Sequence, residues 1–474
     1  MVDDDTFHKH SWTKASLKET RHQIFWTDKP HKPRANPYLR GIEKADLVII
    51  GAGFSGLWAA LQAAEENPGR KIIVLEAHVA GFGASARNGG FCDVSLTHGI
   101  INGLANWKKD FAALHRMGRE NIKGILDTLD RHQINAFTEL TGFILFATEE
   151  WQLEDLLEEH ELYLEYGDQS VFLNQIEAQK LVNSPTYIGG IKVEDYSMMV
   201  DPAELVWGLK KACERLGVII YEHSKVEEIE TRRKVLKIRT EAGVVNASKV
   251  IVATNAWAEP GKFMRKFIIP VHDYVLVTEP LSVAQMESIG WKGREGIADS
   301  ANQFHYYRLT ADNRILWGGY DAKYFPNNGI GFKYEISPDS FELIAAHFFN
   351  TFPQLEGLKF THKWSGAIGA TSKFVSAFGT KYKGRLSWVG GYSGLGVGAS
   401  RFGARVALDL VDGKKTERTQ LKMVRKKPMA FPPPPFRNPI VQFTQKQIAN
   451  ADRNNGKRGL WLKFLDSIGV GIEI

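Results

Sequence analysis

Asp46-Leu47-Val48-Ile49-Ile50-Gly51-Ala52-Gly53-Phe54-Ser55-Gly56 is the stretch on which the fold turns. Its apolar run goes straight into glycine, the pattern of a strand buried on both faces. The first glycine suits a tight turn, the second lets backbone approach a bound anion, and the third permits close packing of the following helix. Apolar residues at Leu57, Ala60, Leu61 and Ala64 carry a helical period until Asn67-Pro68-Gly69 stops it. Lys71-Ile72-Ile73-Val74-Leu75-Glu76 then reads as a second strand. Strand, helix, strand implies a right-handed unit with parallel strands.

Backbone N–H groups and the positive end of such a helix hold a pyrophosphate. Glu76, 76 − 51 = 25 positions after Gly51, ends the second strand with Ala77 beside it. A carboxylate there accepts hydrogen bonds from ribose hydroxyls and repels a 2′-phosphate, which favours FAD or NAD over NADP. The competing reading is a surface glutamate on a purely structural unit. Residues 81–90, Gly81-Phe82-Gly83-Ala84-Ser85-Ala86-Arg87-Asn88-Gly89-Gly90, form a second loop dense in small residues. FAD must be threaded along an extended channel and needs such a segment, whereas NAD does not. Ser85 is expected at phosphate or ribityl and Asn88, Gly89 and Gly90 at the ring edge. Arg87 is read either as a brace of the loop or as a ligand contact. A third loop, Gly390-Gly391-Tyr392-Ser393-Gly394-Leu395-Gly396-Val397-Gly398, opens the last helix and offers bare amides for negative charge on a reduced flavin.

A chain of 474 residues exceeds one hydrophobic core, so two connected domains are expected. The apolar fraction of 43% and charged fraction of 24% are those of an ordinary globular protein. No run of about 18 uncharged apolar residues argues for a membrane-spanning helix. The acidic start Met1-Val2-Asp3-Asp4-Asp5 carries no apolar leader core, so a cytoplasmic location is expected. Cys92 and Cys213 are too few for a disulfide framework or a thiolate zinc site, and no metal is expected. The formal charge of +6 gathers between Lys414 and Lys427, which weakens nucleic acid as a general partner.

Residues 1–45 read as an arm laid over the surface. Asp201-Pro202-Ala203-Glu204 resembles a capping box, starting a helix to about Leu216 and a strand at residues 218–221. Residues 226–230, 235–240 and 243–247 look like an antiparallel meander, after which residues 250–253 return to the core. Residues 386–389 begin a last core strand, followed by the third glycine loop and a helix from about Arg401 to Leu410. Segments 140–195 and 262–372, rich in aromatics, read as a second antiparallel sheet over a ligand. The domains expected are therefore a discontinuous FAD-binding unit of residues 46–139, 196–261 and 373–412, a substrate unit of 140–195 and 262–372, and a basic, Pro-rich extension of 413–474. In that extension Pro432 to Pro435 is a stiff spacer, and residues 459–465 an amphipathic helix for core packing, subunit contact in a homo-oligomer, or a membrane surface.

These loops carry a resemblance. The sequence resembles the D-amino-acid oxidase superfamily, the fold of glycine oxidase and monomeric sarcosine oxidase. Residues 83–90 and Gly391-Tyr392-Ser393-Gly394 are most similar to its gamma-glutamylputrescine oxidase-like branch, supported by Asp201-Pro202, Ala253-Thr254-Asn255-Ala256-Trp257, Pro270-Val271 and Thr278-Glu279-Pro280-Leu281. The resemblance covers roughly residues 40–412. It implies an α/β (α+β) architecture, a Rossmann-like FAD-binding domain of DAO type with a second antiparallel-sheet substrate domain. It also implies that Val226 meets adenine through its backbone, that Ala253 lines the pyrophosphate channel, and that a C–N bond is oxidised by hydride transfer to flavin N5, giving an imine that hydrolyses.

Such chemistry needs a neutral amine with its donor carbon about 3–3.5 Å from the acceptor more than it needs an acid or base. Against the family, Ile368 stands where glycine oxidase-like chains clamp a carboxylate with arginine, and Gly369 where sarcosine oxidase-like chains attach flavin through cysteine, so FAD is expected to be noncovalent. Gly398 and Leu395 replace a lysine and a histidine of relatives, which leaves open whether O2 or another acceptor reoxidises the flavin. Candidate substrate positioners are His272 and Tyr274, sharing one strand face, His305 and Tyr307, sharing another, and Arg308 and Lys373, cations for an acidic group distant from the amine. Each histidine has a structural reading beside the functional one. The expected substrate is a small amine or amino acid, with an aminophosphonate or γ-glutamyl amine as a specialisation. An NAD-linked reductase, or a non-catalytic docking protein acting through the basic tail, are the alternatives.

Overall fold

The computed structural model describes residues 11–232 and 235–470. The acidic start Met1–Asp5 lies outside them. Residues 46–50 are the end of a longer strand, Gly41–Ile50, whose last four side chains are buried. It pairs in parallel with Ile72–Leu75 on one side and Gly243–Val252 on the other, with Ile49 opposite Val74 and Ile251. The helix between them, Phe54–Glu66, is buried over nearly its whole circumference because the helix Gly396–Val411 packs against it. Leu57, Ala60, Leu61 and Ala64 all lie in that core.

The eight-stranded sheet runs in the order Val226–Arg232, Val235–Thr240, Gly243–Val252, Gly41–Ile50, Ile72–Leu75, Ile219–Tyr221, with Leu386–Gly390 added beside Gly243–Val252 and Ala377–Lys381 outside it. The meander and the return to the core are therefore not separate. Strand Gly243–Val252 serves both, antiparallel to Val235–Thr240 at its start and parallel to Leu386–Gly390 at its end. Asp201 caps the helix Pro202–Arg215 by accepting from the N–H groups of Ala203 and Glu204. Glu204 completes no capping box, because its carboxylate is taken by Lys29 at 2.8 Å.

A nine-stranded sheet faces this unit. Its order is Arg21–His22, Phe360–Ala370, Ile269–Thr278, Ile315–Gly319, His305–Leu309, Gly296–Asp299, Phe143–Ala147, Gly189–Val193, Ser170–Asn174. It is mixed, since Arg21–His22 and Gly296–Asp299 each make a parallel pair. Helix Pro338–Thr351 covers its outer face with Phe341, Ile344 and Phe348. The inner face turns toward the first unit, and the gap between them is the site.

Two terminal segments depart from expectation. Residues 11–40 are woven in rather than laid over the surface: Arg21–His22 extends the nine-stranded sheet, and Trp26 is buried with its indole N–H donating to the carbonyl of Asn88 at 2.8 Å. The C-terminal extension adds a helix, Arg437–Arg453, before the expected one at Leu460–Ser467, and both fold back over the gap. No helix of the described residues is long and apolar enough to cross a membrane.

Candidate active site

The gap is one continuous cavity of about 1810 Å³. A pocket for one small ligand spans roughly 300–1,000 Å³, so this one has room for a cofactor and a substrate together. Its first arm starts where Gly41–Ile50 ends. Gly51 has φ +103°, and a Cβ on it would stand 2.8 Å from the carbonyl oxygen of Ala253. A Cβ on Gly53 would stand 2.8 Å from the hydroxyl of Ser85, and one on Gly56 would overlap the carbonyl oxygen of Gly51. The three glycines thus make the turn, leave backbone bare at the mouth of a helix, and seat that helix on its strand.

Glu76 is anchored there by backbone: one carboxylate oxygen accepts from the N–H of Ala52 at 2.7 Å and the other from His78 at 2.9 Å. Burial pushes its pKa up and these bonds pull it down. Ala77, Val226 and Ala253 line the same arm. The hydroxyl of Thr254 lies buried there with no partner among the described residues, a polar atom that a bound phosphate or sugar would satisfy.

Residues 83–89 form the floor of the middle section. Ser85 accepts from the N–H of Phe54 at 2.9 Å, and Asn88 donates to the carbonyls of Ala84 and Ser85 while accepting from Gly90. Arg87 donates to the carbonyl of Phe82, the carbonyl of Ser365 and the carboxylate of Glu335, so it braces the loop against the nine-stranded sheet and the short helix Phe332–Glu335. The third loop closes the far end. Gly391 receives its place from Asn255, whose Oδ1 accepts the Gly391 N–H at 2.7 Å, and the Tyr392 hydroxyl accepts from Ser55. The N-terminus of the helix Gly396–Val411 opens on the cavity there.

Glycine cradle, a backbone-anchored carboxylate at the end of the neighbouring strand, orphaned hydroxyl and two helix N-termini fit an extended dinucleotide. The profile of the family described as DAO, FAD-dependent oxidoreductase, matches residues 46–410. The chain belongs to this family. It is 32% identical over 374 residues to gamma-glutamylputrescine oxidoreductase of Escherichia coli, covering 78% of this chain and 84% of that protein. It is likewise 32% identical over 385 residues to a probable oxidoreductase, OrdL, of Haemophilus influenzae, covering 80% and 85%. The crystal structure of glycine oxidase from Geobacillus kaustophilus superposes with a TM-score of 0.68 at 18% identity, over 81% of this chain and 99% of that one, a likeness of fold. This DAO-family chain is an FAD-dependent oxidoreductase, and the NAD-linked alternative falls.

Gly51, Gly53, Phe54, Ser55, Glu76, Ala77, Gly83, Ala84, Ser85, Arg87, Asn88, Gly89, Val226, Ala253, Tyr392, Gly394, Leu395, Gly396 and Val397 all line the cavity. Gly56, Gly90 and Gly391 stand behind its wall: a Cβ on Gly90 would overlap the carbonyl of Val200, and one on Gly391 the methyl of Thr371.

None of the six expected substrate positioners lines the cavity. His272 and Tyr274 share a face, but it is the outer one, where His272 meets the carbonyl of Gly329 and Tyr274 donates to the carbonyl of Tyr334. His305 and Tyr307 also point outward, into contacts with Asp299 and His347 and with the hydroxyl of Tyr187. Arg308 faces inward but stops short, donating to the carbonyls of Val200 and Leu309, and burial holds its pKa down to about 10. Lys373 donates to Asn106. Arg308→Ala should therefore cost about 2–4 kcal/mol of stability by orphaning those carbonyls and leaving a void, with KM unchanged. Thermal unfolding and substrate titration of that variant separate the two roles; a raised KM at full stability would restore the substrate-clamp reading.

What does face the chamber is the alternate set. From Ile269–Thr278 come Val271, Asp273 and Val275, and from His305–Leu309 comes Tyr306. The Tyr306 hydroxyl donates to Asp273 at 2.5 Å, and the second Asp273 oxygen accepts from the N–H of Tyr274. Burial lifts the Asp273 carboxyl to about 6, against the hydrogen bond from Tyr306, and holds the Tyr306 phenol protonated. Gly89 makes room for Tyr306, since a Cβ there would stand 2.8 Å from the ring. His98 adds an imidazole beside Gly394, kept neutral by burial. The sequence signal for Asp273 was an acid interrupting an apolar strand, whereas Tyr306 gained its place opposite Gly318 only through the strand register.

Both cysteines are buried free thiols outside the cavity lining, and Gly369 offers no nucleophile. Acid precipitation should leave intact FAD in the supernatant, read by its absorbance; colour that stays with the pellet would mean a covalent link.

Proposed function

We propose that the protein oxidises the C–N bond of an amine, with Asp273 and Tyr306 as its amine-binding pair. The observation that carries this reading is the buried carboxylate–phenol pair facing the same cavity that runs back to Glu76 and the glycine cradle. Asp273 holds the incoming ammonium and takes one of its protons, because in a chamber of low polarity the charged pair is costly and the two pKa values approach each other. Tyr306 keeps its proton and holds the carboxylate in position. FAD held by the glycine cradle, Glu76 and residues 83–89 would supply the two-electron acceptor for the hydride on the carbon that bears the nitrogen, with O2 or another acceptor taking up the electrons. Water then hydrolyses the imine to a carbonyl product and releases the nitrogen.

The charge lining the chamber favours a cationic substrate over one with a distant anion. Asp155, Glu158 and Glu159 of the helix Trp151–Glu165 line one flank, burial and the neighbouring Asp155 raising Glu159 to about 7. The cations on the lining are committed or remote: Arg87 pairs with Glu335, Arg458 with Asp466, and Lys225 and Arg265 sit with Glu259 at the Val226 end. The similarity to a relative named gamma-glutamylputrescine oxidoreductase supports an amine rather than an α-amino acid. Two unpaired thiols and the absence of a spanning helix among the described residues support a cytoplasmic setting as part of this reading.

Anaerobic bleaching of the flavin by a panel of amines tests it. Alkyl mono- and diamines should reduce the flavin faster than glycine, sarcosine, D-alanine or aminophosphonates. Faster reduction by the acids would return the protein to conventional α-amino-acid oxidation or to the distal-anion reading.

A further inference from the structure

Residues 413–470 lie beyond the 46–410 matched by the family, yet they are part of the cavity wall. The extension is first tied to the cofactor unit, with Thr416 and Arg418 on Asp409 and the N–H of Lys422 on Asp110. It then crosses the mouth of the gap, the carbonyl of Met429 accepting from Ser372 and the N–H of Phe431 donating to Lys266. Along Arg437–Arg453, Gln445 donates to the carbonyl of Ala322. Near that helix's end Asp452 accepts from the N–H groups of Asn302 and Gln303 and from the Asn302 amide at 2.6 Å. Those residues lie in the loop between Gly296–Asp299 and the strand that carries Tyr306.

Helix Leu460–Ser467 packs back on this base. Leu462 and Leu465 are buried with Ala451, Phe374 joins them from the cavity rim, and the Trp461 indole donates to Thr444 at 2.9 Å. The inward surface that results is apolar: Phe431, Val441, Ile448, Trp461, Leu465 and Ile468 line the chamber. The polar side chains on this segment that line the chamber, Thr444, Gln445 and Arg458, are engaged with Trp461, the carbonyl of Ala322 and Asp466.

We propose that the C-terminal extension is the specificity wall of the substrate chamber, selecting amines whose body beyond the reacting nitrogen is a long or bulky apolar group, with Trp461 at its centre and Asp452 as its clasp. This rests on the amine-binding reading of Asp273 and Tyr306 for the direction in which the substrate lies. The nitrogen end is held by the carboxylate, and each further methylene leaves water for the apolar wall.

The test uses full-length, FAD-loaded protein and n-alkylamines from propylamine to octylamine, titrated without oxygen while flavin absorbance is followed for both perturbation and bleaching. Affinity should rise by about fourfold per methylene in the native protein. Trp461→Ala and, independently, Asp452→Ala should flatten that slope while propylamine affinity and flavin content stay unchanged. A slope that is flat in the native protein, or that survives in both variants, overturns the proposal. Bleaching without chain-length dependence would sink the wall and leave amine oxidation standing. A chain-length-dependent perturbation without bleaching would uphold the wall and sink amine oxidation.

Discussion

Asp273→Asn should lower the rate of flavin reduction by substrate by about 10²–10⁴-fold, the span of a positioned proton acceptor, with FAD content unchanged. The amide is isosteric and its one oxygen can still accept from Tyr306, at the expense of the bond from the Tyr274 N–H, but it neither attracts an ammonium nor takes its proton. The pH profile supplies the second readout. Because burial raises the Asp273 carboxyl to about 6, it is neutral below that pH and ionised above it. Native kcat/KM should therefore climb as pH rises through about 6, and this limb should vanish in Asp273→Asn. Tyr306→Phe removes the hydrogen bond that lowers the Asp273 pKa, so the same limb should move to higher pH. A native rate and an unchanged limb in Asp273→Asn would show that another group handles the amine.

Gly56→Val should yield protein without flavin. The new side chain would overlap the carbonyl of Gly51, so the helix Phe54–Glu66 must lift off the strand Gly41–Ile50. Overpacking of this kind costs about 1–3 kcal/mol or more, and here the displaced helix is the one whose N-terminus opens on the cavity beside the glycine cradle, where a pyrophosphate would sit. The ratio of flavin to protein absorbance after purification measures it. Native flavin occupancy in this variant would mean that the close approach of helix and strand is dispensable for binding.

The glycine cradle was legible because its reasons are local. A strand entering Gly51, a turn, and a helix starting at Phe54 depend on residues within a dozen positions of one another, as do Glu76 at the end of its strand and the Asp201 cap. The substrate side was not legible, although its periodicity was. Alternation put His272 with Tyr274 and His305 with Tyr307 on shared faces, yet both pairs turn away from the chamber while Asp273 and Tyr306 face it. In a sheet buried on both sides, each face carries apolar and polar residues. Helix Pro338–Thr351 covers one and the cofactor unit the other, and only that layering says which is which.

The placement of Arg308 and Lys373 was hidden for a related reason: a cation in the sequence has no partner until the fold brings one, here the carbonyls of Val200 and Leu309 and the side-chain oxygen of Asn106. The extension went unread as a wall because its contacts span more than a hundred residues, from Asp452 to Asn302 and from Gln445 to Ala322. Short-range turn and strand chemistry thus made the cofactor and the parallel core that holds it readable from the residues alone, and residues 83–90 and 391–394 carried the resemblance to the family. Which carboxylate faces the cavity and which segments line it emerged only in three dimensions, because both depend on which of two buried faces each segment turns inward.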